Sequence, residues 1–246
     1  MKKYILLLIL SFSIFAQANS TIDSFSKSKK LLKEIYKDHQ ITFYANCKYS
    51  YKDKNNMIDR QSCGYTPRNE YTKSGKLNKR ARRIEWEHVI PAENFGRQFA
   101  CWREGDSQCV KSNGKAYKGR KCCSKVNKQF KLMEADIHNL VPAIGELNAD
   151  RSNFRYGIIE GEKRAYGRDV DFEVDFKARR AEPKDDIRGN IARTYFYFEG
   201  TYGMKISKQE KQLFNAWNKS DPVSSREREK NIKVNAIQGN YNKYIQ

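Results

Sequence analysis

The chain has 246 residues, 39% of them hydrophobic, and carries 48 Lys and Arg against 29 Asp and Glu, a formal net charge of +19. That length suits one large domain or two small ones with ample core, and no stretch beyond the first twenty residues is apolar enough to cross a membrane. So large a basic excess goes beyond what solubility requires and points to a polyanionic partner: DNA, RNA or an anionic membrane.

The first twenty residues read MKKYILLLILSFSIFAQANS. Lys2 and Lys3 form a positive start, residues 4–15 are an apolar run too short for a membrane span, and Ala16-Gln17-Ala18 fits the small-x-small rule for cleavage. The pattern predicts a signal peptide, residues 1–18, and one mature domain, residues 19–246. Removing Lys2 and Lys3 leaves 46 − 29, a net charge of +17. The protein is then secreted or periplasmic. All six cysteines, Cys47, Cys63, Cys101, Cys109, Cys122 and Cys123, lie in the mature part. An even count in an exported chain predicts three disulfides. The spacing suggests Cys47 with Cys63, and Cys101 and Cys109 with Cys122 and Cys123. A zinc site is the weaker alternative, since no CxxC pair is present.

In chain order, residues 24–37 predict a helix, with Phe25, Leu32, Ile35 and Tyr36 at helical spacing and Ser24 as cap. Residues 41–72 read as loops stapled by Cys47 and Cys63. In residues 82–90, Ile84, Trp86, His88 and Ile90 alternate with Arg83, Glu85 and Glu87. This is a strand with one mostly apolar face, ended by Pro91. Residues 103–129 are basic and read as a long excursion held by disulfides. In residues 133–157, Pro142 suits the first turn of a helix on which Ile144, Leu147, Asn148 and Arg151 share a face. Asn148 thus sits on the inward stripe, where asparagine is a poor helix former and its presence asks for a reason. Pro183 and Ser207 open two further helices. Asp221-Pro222 breaks the chain, and a last helix ends at Gly239.

The stretch RRIEWEHVIPAEN gathers acids and a histidine behind two arginines. Phosphodiester hydrolysis needs a base for water, and neutral imidazole serves near pH 7. A hard cation neutralises charge at the leaving oxygen, and Mg²⁺ needs as little as one carboxylate and one amide oxygen from the protein. A guanidinium can clamp the phosphate. His88 is the candidate base, and Glu87 and Asn148 are the candidate cation ligands. Adjacent strand residues point to opposite faces, so Glu87 and His88 share a site only where the strand twists or ends. Asn139 is the alternative ligand, read here as a loop brace. Glu134 and His138 are candidates for the surroundings of the site, His39 for the surface, and Glu85 for ordinary surface pairing with arginine.

WEHVIPAENFG, GRKCC and MEADIHNLVPAIGELNADRSNF, in that order, resemble the bacterial endonuclease I family of periplasmic or secreted non-specific nucleases. The resemblance runs from about residue 22 to the C-terminal IQGNYNKYI. It implies an α+β fold, a mixed α/β single domain built on a ββα-metal finger and stapled by disulfides. It also implies cleavage of double- and single-stranded DNA, and of RNA, to 5′-phosphate products. The cofactor it implies is Mg²⁺, replaceable by Ca²⁺ or Mn²⁺, and the expected state is a monomer without membrane association. It assigns Glu87 and Asn148 to the metal, His88 to general base catalysis and Arg120, in the GRK step, to the phosphate. Arg103 and Lys121 are the alternatives to Arg120. The competing class is an exported basic nucleic-acid-binding protein without catalysis, which accounts for the charge and the cysteines but not for Glu87, His88 and Asn148.

Overall fold

A computed structural model describes residues 18–51, 56–161 and 163–246. All but the last residue of the expected signal peptide lies outside these. In chain order the elements are α1 (Phe25–Ile35), β1 (Lys48–Tyr49), β2 (Ile58–Asp59), β3 (Ile84–His88), α2 (Ala92–Gly96), α3 (Ala100–Arg103), α4 (Arg120–Val126), α5 (Lys128–Ala135), β4 (Leu140–Ile144), α6 (Gly145–Arg151), β5 (Arg155–Tyr156), β6 (Phe172–Asp175), β7 (Arg180–Pro183), α7 (Arg188–Tyr202), α8 (Lys208–Ser220) and α9 (Ser225–Gln238). The strands form three small sheets: β1 with β2, β3 with β4, and β7 between β5 and β6. This is the expected α+β class. Among the described residues no helix is long and apolar enough to cross a membrane.

The antiparallel pair β3–β4 positions everything that follows. Its register sets Glu85 against Ala143, Trp86 against Pro142, Glu87 against Val141 and His88 against Leu140. Pro142 therefore lies in the middle of a strand and not in the first turn of a helix, as expected from the sequence. The amides of Gly145 and Val89 donate to the carbonyls of Arg83 and Asn139. Bonded pairs alternate along such a ladder, so Trp86–Pro142 falls on a non-bonded position where the missing N–H costs nothing. The proline carbonyl points outward and accepts from the amide of Phe43, at 2.8 Å.

Helix α6 follows β4 without a loop. Gly145 opens it because a Cβ there would lie 2.8 Å from the Arg80 carbonyl oxygen and 3.1 Å from the Glu85 carboxyl. The main core joins β3, β4, α2, α5 and the almost wholly buried α7, and a smaller cluster gathers Leu32, Ile35, Tyr36, Ile137, Leu140 and Val234 around α1 and α9. Ser207 and Ser224 form capping boxes with Glu210 and Glu227 at the starts of α8 and α9. Ser24 occupies the N-cap position of α1, but its side chain makes no capping bond, against expectation. Gly239 ends α9 in the left-handed conformation, with φ of 83°. Pro183 closes β7 and does not open a helix; α7 begins at Arg188.

The disulfides are Cys47–Cys63, Cys101–Cys123 and Cys109–Cys122. The last two staple the basic excursion to the first turn of α4, which fixes Arg120 beside the β3–β4 pair.

Candidate active site

Strand β3 is covered on both faces. Trp86 and His88 turn toward α1: the Trp86 ring lies 5.7 Å from Tyr36, and the His88 ring lies 4.8 Å from Phe25. Glu85 and Glu87 turn toward α6. The face predicted to be polar is therefore largely covered, with Glu87 only 5% exposed.

His88 Nε2 lies 2.8 Å from the Glu134 carbonyl oxygen. A carbonyl only accepts, so Nε2 carries the proton and the lone pair sits on Nδ1. Burial first, and the Arg120 charge second, lower the imidazole to about 3, so it is neutral at neutral pH. A phosphate arriving beside Arg120 would offset that charge and raise the basicity of the ring.

Arg120 begins α4 and donates through Nε to the Glu134 carboxylate, which also accepts from Ser124 Oγ at 2.8 Å. The guanidinium lies over the Phe25 ring, 5.5 Å from its centre, and its side chain remains 45% exposed. Arg103 instead donates to the Arg97 carbonyl and pairs with Glu104. Of the candidate arginines, Arg120 is the one in the surroundings of His88.

Glu87 meets Arg151 from α6, with Nη1 3.1 Å from Oε1. Arg151 is itself 1% exposed and spends its other bonds on the carbonyls of His88 and Val89. Burial raises the Glu87 carboxyl to about 7 in spite of the Arg151 charge. Asn148, one turn before Arg151, donates Nδ2 to Glu85 Oε2 at 3.0 Å. A carboxylate only accepts, so the amide nitrogen faces Glu85 and the amide oxygen faces away from it. Glu85 makes the expected arginine pairs, with Arg80 and Arg83, and in addition holds the Asn148 amide.

Among the described residues no three His, Cys, Asp or Glu side chains cluster as a metal cage. A small hard-cation site is a different donor set, and the residues present fit it. Arg151 contacts only one oxygen of the buried Glu87 carboxylate, and the Asn148 amide is oriented by Glu85 with its oxygen left to accept. One carboxylate, one amide oxygen and waters are the ligands Mg²⁺ takes.

The remaining candidates have other tasks. Asn139 bridges both backbone groups of Ile90, at 2.7 and 3.0 Å, and braces the turn after β3. His138 is buried against the Asn240 carbonyl and braces the loop after α9. His39 is half-buried. Sequence reasoning missed Glu85, Arg151 and Phe25 as parts of the site. Only Arg151 left a signal: an arginine three residues after Asn148 on an inward stripe requires a buried acceptor.

An antiparallel strand pair runs directly into a helix, with an imidazole and a carboxylate on the first strand and an amide on the helix, and together they form a ββα finger. The chain belongs to the endonuclease I family, whose model, described as Endonuclease I, matches residues 19–246. It is thus a nuclease by family. It is 39% identical over 244 residues to an extracellular deoxyribonuclease of Aeromonas hydrophila, covering 98% of this chain and 96% of that one. It is 40% identical over 242 residues to a periplasmic deoxyribonuclease of the same organism, covering 98% and 92%. It is also 40% identical over 225 residues to Endonuclease-1 of Buchnera aphidicola, covering 92% and 81%.

Proposed function

We propose that this chain is an exported, secreted or periplasmic, Mg²⁺-dependent and non-specific endonuclease that acts as a monomer, after loss of residues 1–18. It hydrolyses DNA, and RNA as well, to 5′-phosphate products. The observation that carries the reading is the His88 tautomer: with Nε2 committed to the Glu134 carbonyl, Nδ1 is free to take a proton.

In this reading Nδ1 of His88 accepts a proton from the attacking water. Arg120, held by Glu134, contacts the scissile phosphate and stabilises the charge that gathers on its oxygens. Glu87 and Asn148 hold the cation. When bound, Mg²⁺ supplies charge neutralisation at the leaving 3′-oxygen. Glu85 orients the Asn148 amide, and Arg151 fixes the Glu87 carboxylate. The excess of Lys and Arg draws in the polyanion through phosphate contacts that carry no base preference. The extracellular and periplasmic relatives, named deoxyribonucleases, support both the compartment and DNA as substrate.

The test incubates the oxidised mature protein with supercoiled plasmid and with total RNA. The arms are Mg²⁺, EDTA, and Mg²⁺ with His88→Ala. Fragments with 5′-phosphate ends from wild type in Mg²⁺ alone, and a loss of about 10²-fold or more in His88→Ala, are expected. Intact plasmid in every arm together with a gel shift would favour the binding protein. Plasmid cut while RNA survives would confine the activity to DNA.

A further inference from the structure

Helix α1 lies outside the ββα finger, yet it reaches the catalytic histidine. The Phe25 ring stands 4.8 Å from the His88 ring, the planes inclined by 40°. The Arg120 guanidinium and the Lys29 ammonium lie 5.5 and 4.9 Å from the centre of the same Phe25 ring. One aromatic side chain therefore touches both the proposed base and the proposed phosphate clamp.

The helix that carries it is fastened to the segment that holds His88. Ser28, one turn after Phe25, donates Oγ to the Ala135 carbonyl at 2.6 Å, adjacent to the Glu134 carbonyl that receives His88. Leu32 and Ile35 then bury in the small cluster with Ile137 and Leu140. Upstream of α1, Asn19 donates Nδ2 to the Leu132 carbonyl of α5, at 2.9 Å. So α1 is tied to the end of α5, and Phe25 is held above the imidazole.

We infer that Phe25 is a positioning residue for His88 and Arg120. A single hydrogen bond at Nε2 fixes the His88 tautomer but leaves the ring free to swing about that contact. The Phe25 ring blocks that swing and keeps Nδ1 aimed where the water must sit. Its face also gives Arg120 a shelf by cation–π attraction, so the guanidinium can stay extended while 45% exposed. Displacement of a catalytic group by about an ångström costs up to ~10²-fold in rate. Phe25 touches no reacting atom; its whole effect passes through the two residues it supports. The inference rests on the proposed role of His88.

The experiment compares Phe25→Leu, Phe25→Met and Phe25→Tyr in the mature protein, with kcat and KM on duplex DNA in Mg²⁺ and thermal melts of each. Phe25→Leu and Phe25→Met remove the ring and keep apolar bulk. Both are expected to lose about tenfold in kcat, with KM changed less than about twofold. Phe25→Tyr, which keeps the ring, is expected to retain kcat. In a His88→Ala background Phe25→Leu should cost less than in wild type, and in a His88→Ala, Arg120→Ala background it should cost nothing further. A rise in KM with kcat unchanged would overturn the inference and assign Phe25 to DNA contact. So would wild-type kcat in either folded ringless variant, or a tenfold loss that persists in the His88→Ala, Arg120→Ala background. If His88→Ala itself cleaves normally, the general-base reading falls first and is identified as the failure.

Discussion

Among the described residues two buried arginine–glutamate pairs are built differently. Arg193 of α7 grips Glu227 of α9 with Nε and Nη2, at 2.8 and 2.7 Å, and spends Nη1 on Asn218 and on the Asp221 carbonyl. Glu227 also completes the capping box of its own helix. That pair is saturated: every charged atom has a partner, which is what a purely structural ion pair needs when it is taken out of water. Arg151 and Glu87 share a single contact, 3.1 Å long, and Arg151 Nε has no hydrogen-bond partner among the described residues. Burial holds the Glu87 carboxyl at about 7. A buried carboxylate held by a single side-chain contact is costly, and such cost is kept at functional sites. In the reading proposed above, a cation is the ligand that completes the Glu87 site, while Glu227 needs none.

Exchanging the acids separates the two roles. Glu227→Ala leaves Arg193 buried without its partner and is expected to cost about 3–5 kcal/mol of stability, read from denaturant unfolding, with Mg²⁺-dependent cleavage retained by the folded fraction. Glu87→Gln is expected to reverse that pattern. Stability should hold or rise while cleavage falls about a hundredfold or more. If Glu87→Gln unfolds as badly as Glu227→Ala, the contrast between the pairs is broken.

A smaller effect follows from the titration of Glu87. Its folded pKa is raised above its unfolded value, so the protonated form stabilises the fold below about 4.5, and that contribution is lost as pH rises to about 7. The stability of metal-free wild type relative to Glu87→Gln should therefore decline across that window and be level above it. His88 has the opposite sign. Its folded pKa is depressed from 6.5 to about 3, so its contribution is lost as pH falls below about 6.5. His88 is present in both proteins and cancels in the difference. Parallel stability–pH curves for the two proteins would remove the claim that burial raises the Glu87 carboxyl.

Much of this architecture was legible in the sequence. The alternation around Trp86 and His88 gave β3 within two residues at either end, Ser207 gave the start of α8 and Gly239 the end of α9, and the cysteine spacing limited the pairing to two connectivities. What failed did so for local reasons. Pro142 reads as a helix start by propensity, but its tertiary partner Trp86 sets it on the one kind of strand position that needs no N–H. Missing β4 also hid the second strand of the finger. Glu85 looked like a surface acid because its partners, Arg80 and Arg83, are near in sequence; the third, Asn148, is 63 residues away. Phe25 read as core because a helical stripe does not reveal which of its members meets a histidine from another element. The tautomer of His88 depends on one backbone carbonyl, and no side-chain pattern records it.

The most direct measurement is a calorimetric titration of Mg²⁺ into metal-free, DNA-free mature protein, run on wild type, Glu87→Gln and a stability-matched surface variant. One Mg²⁺ per chain in wild type and in the surface variant, with none in Glu87→Gln, is the predicted result. Equal Mg²⁺ binding by all three proteins would contradict it and place the cation elsewhere.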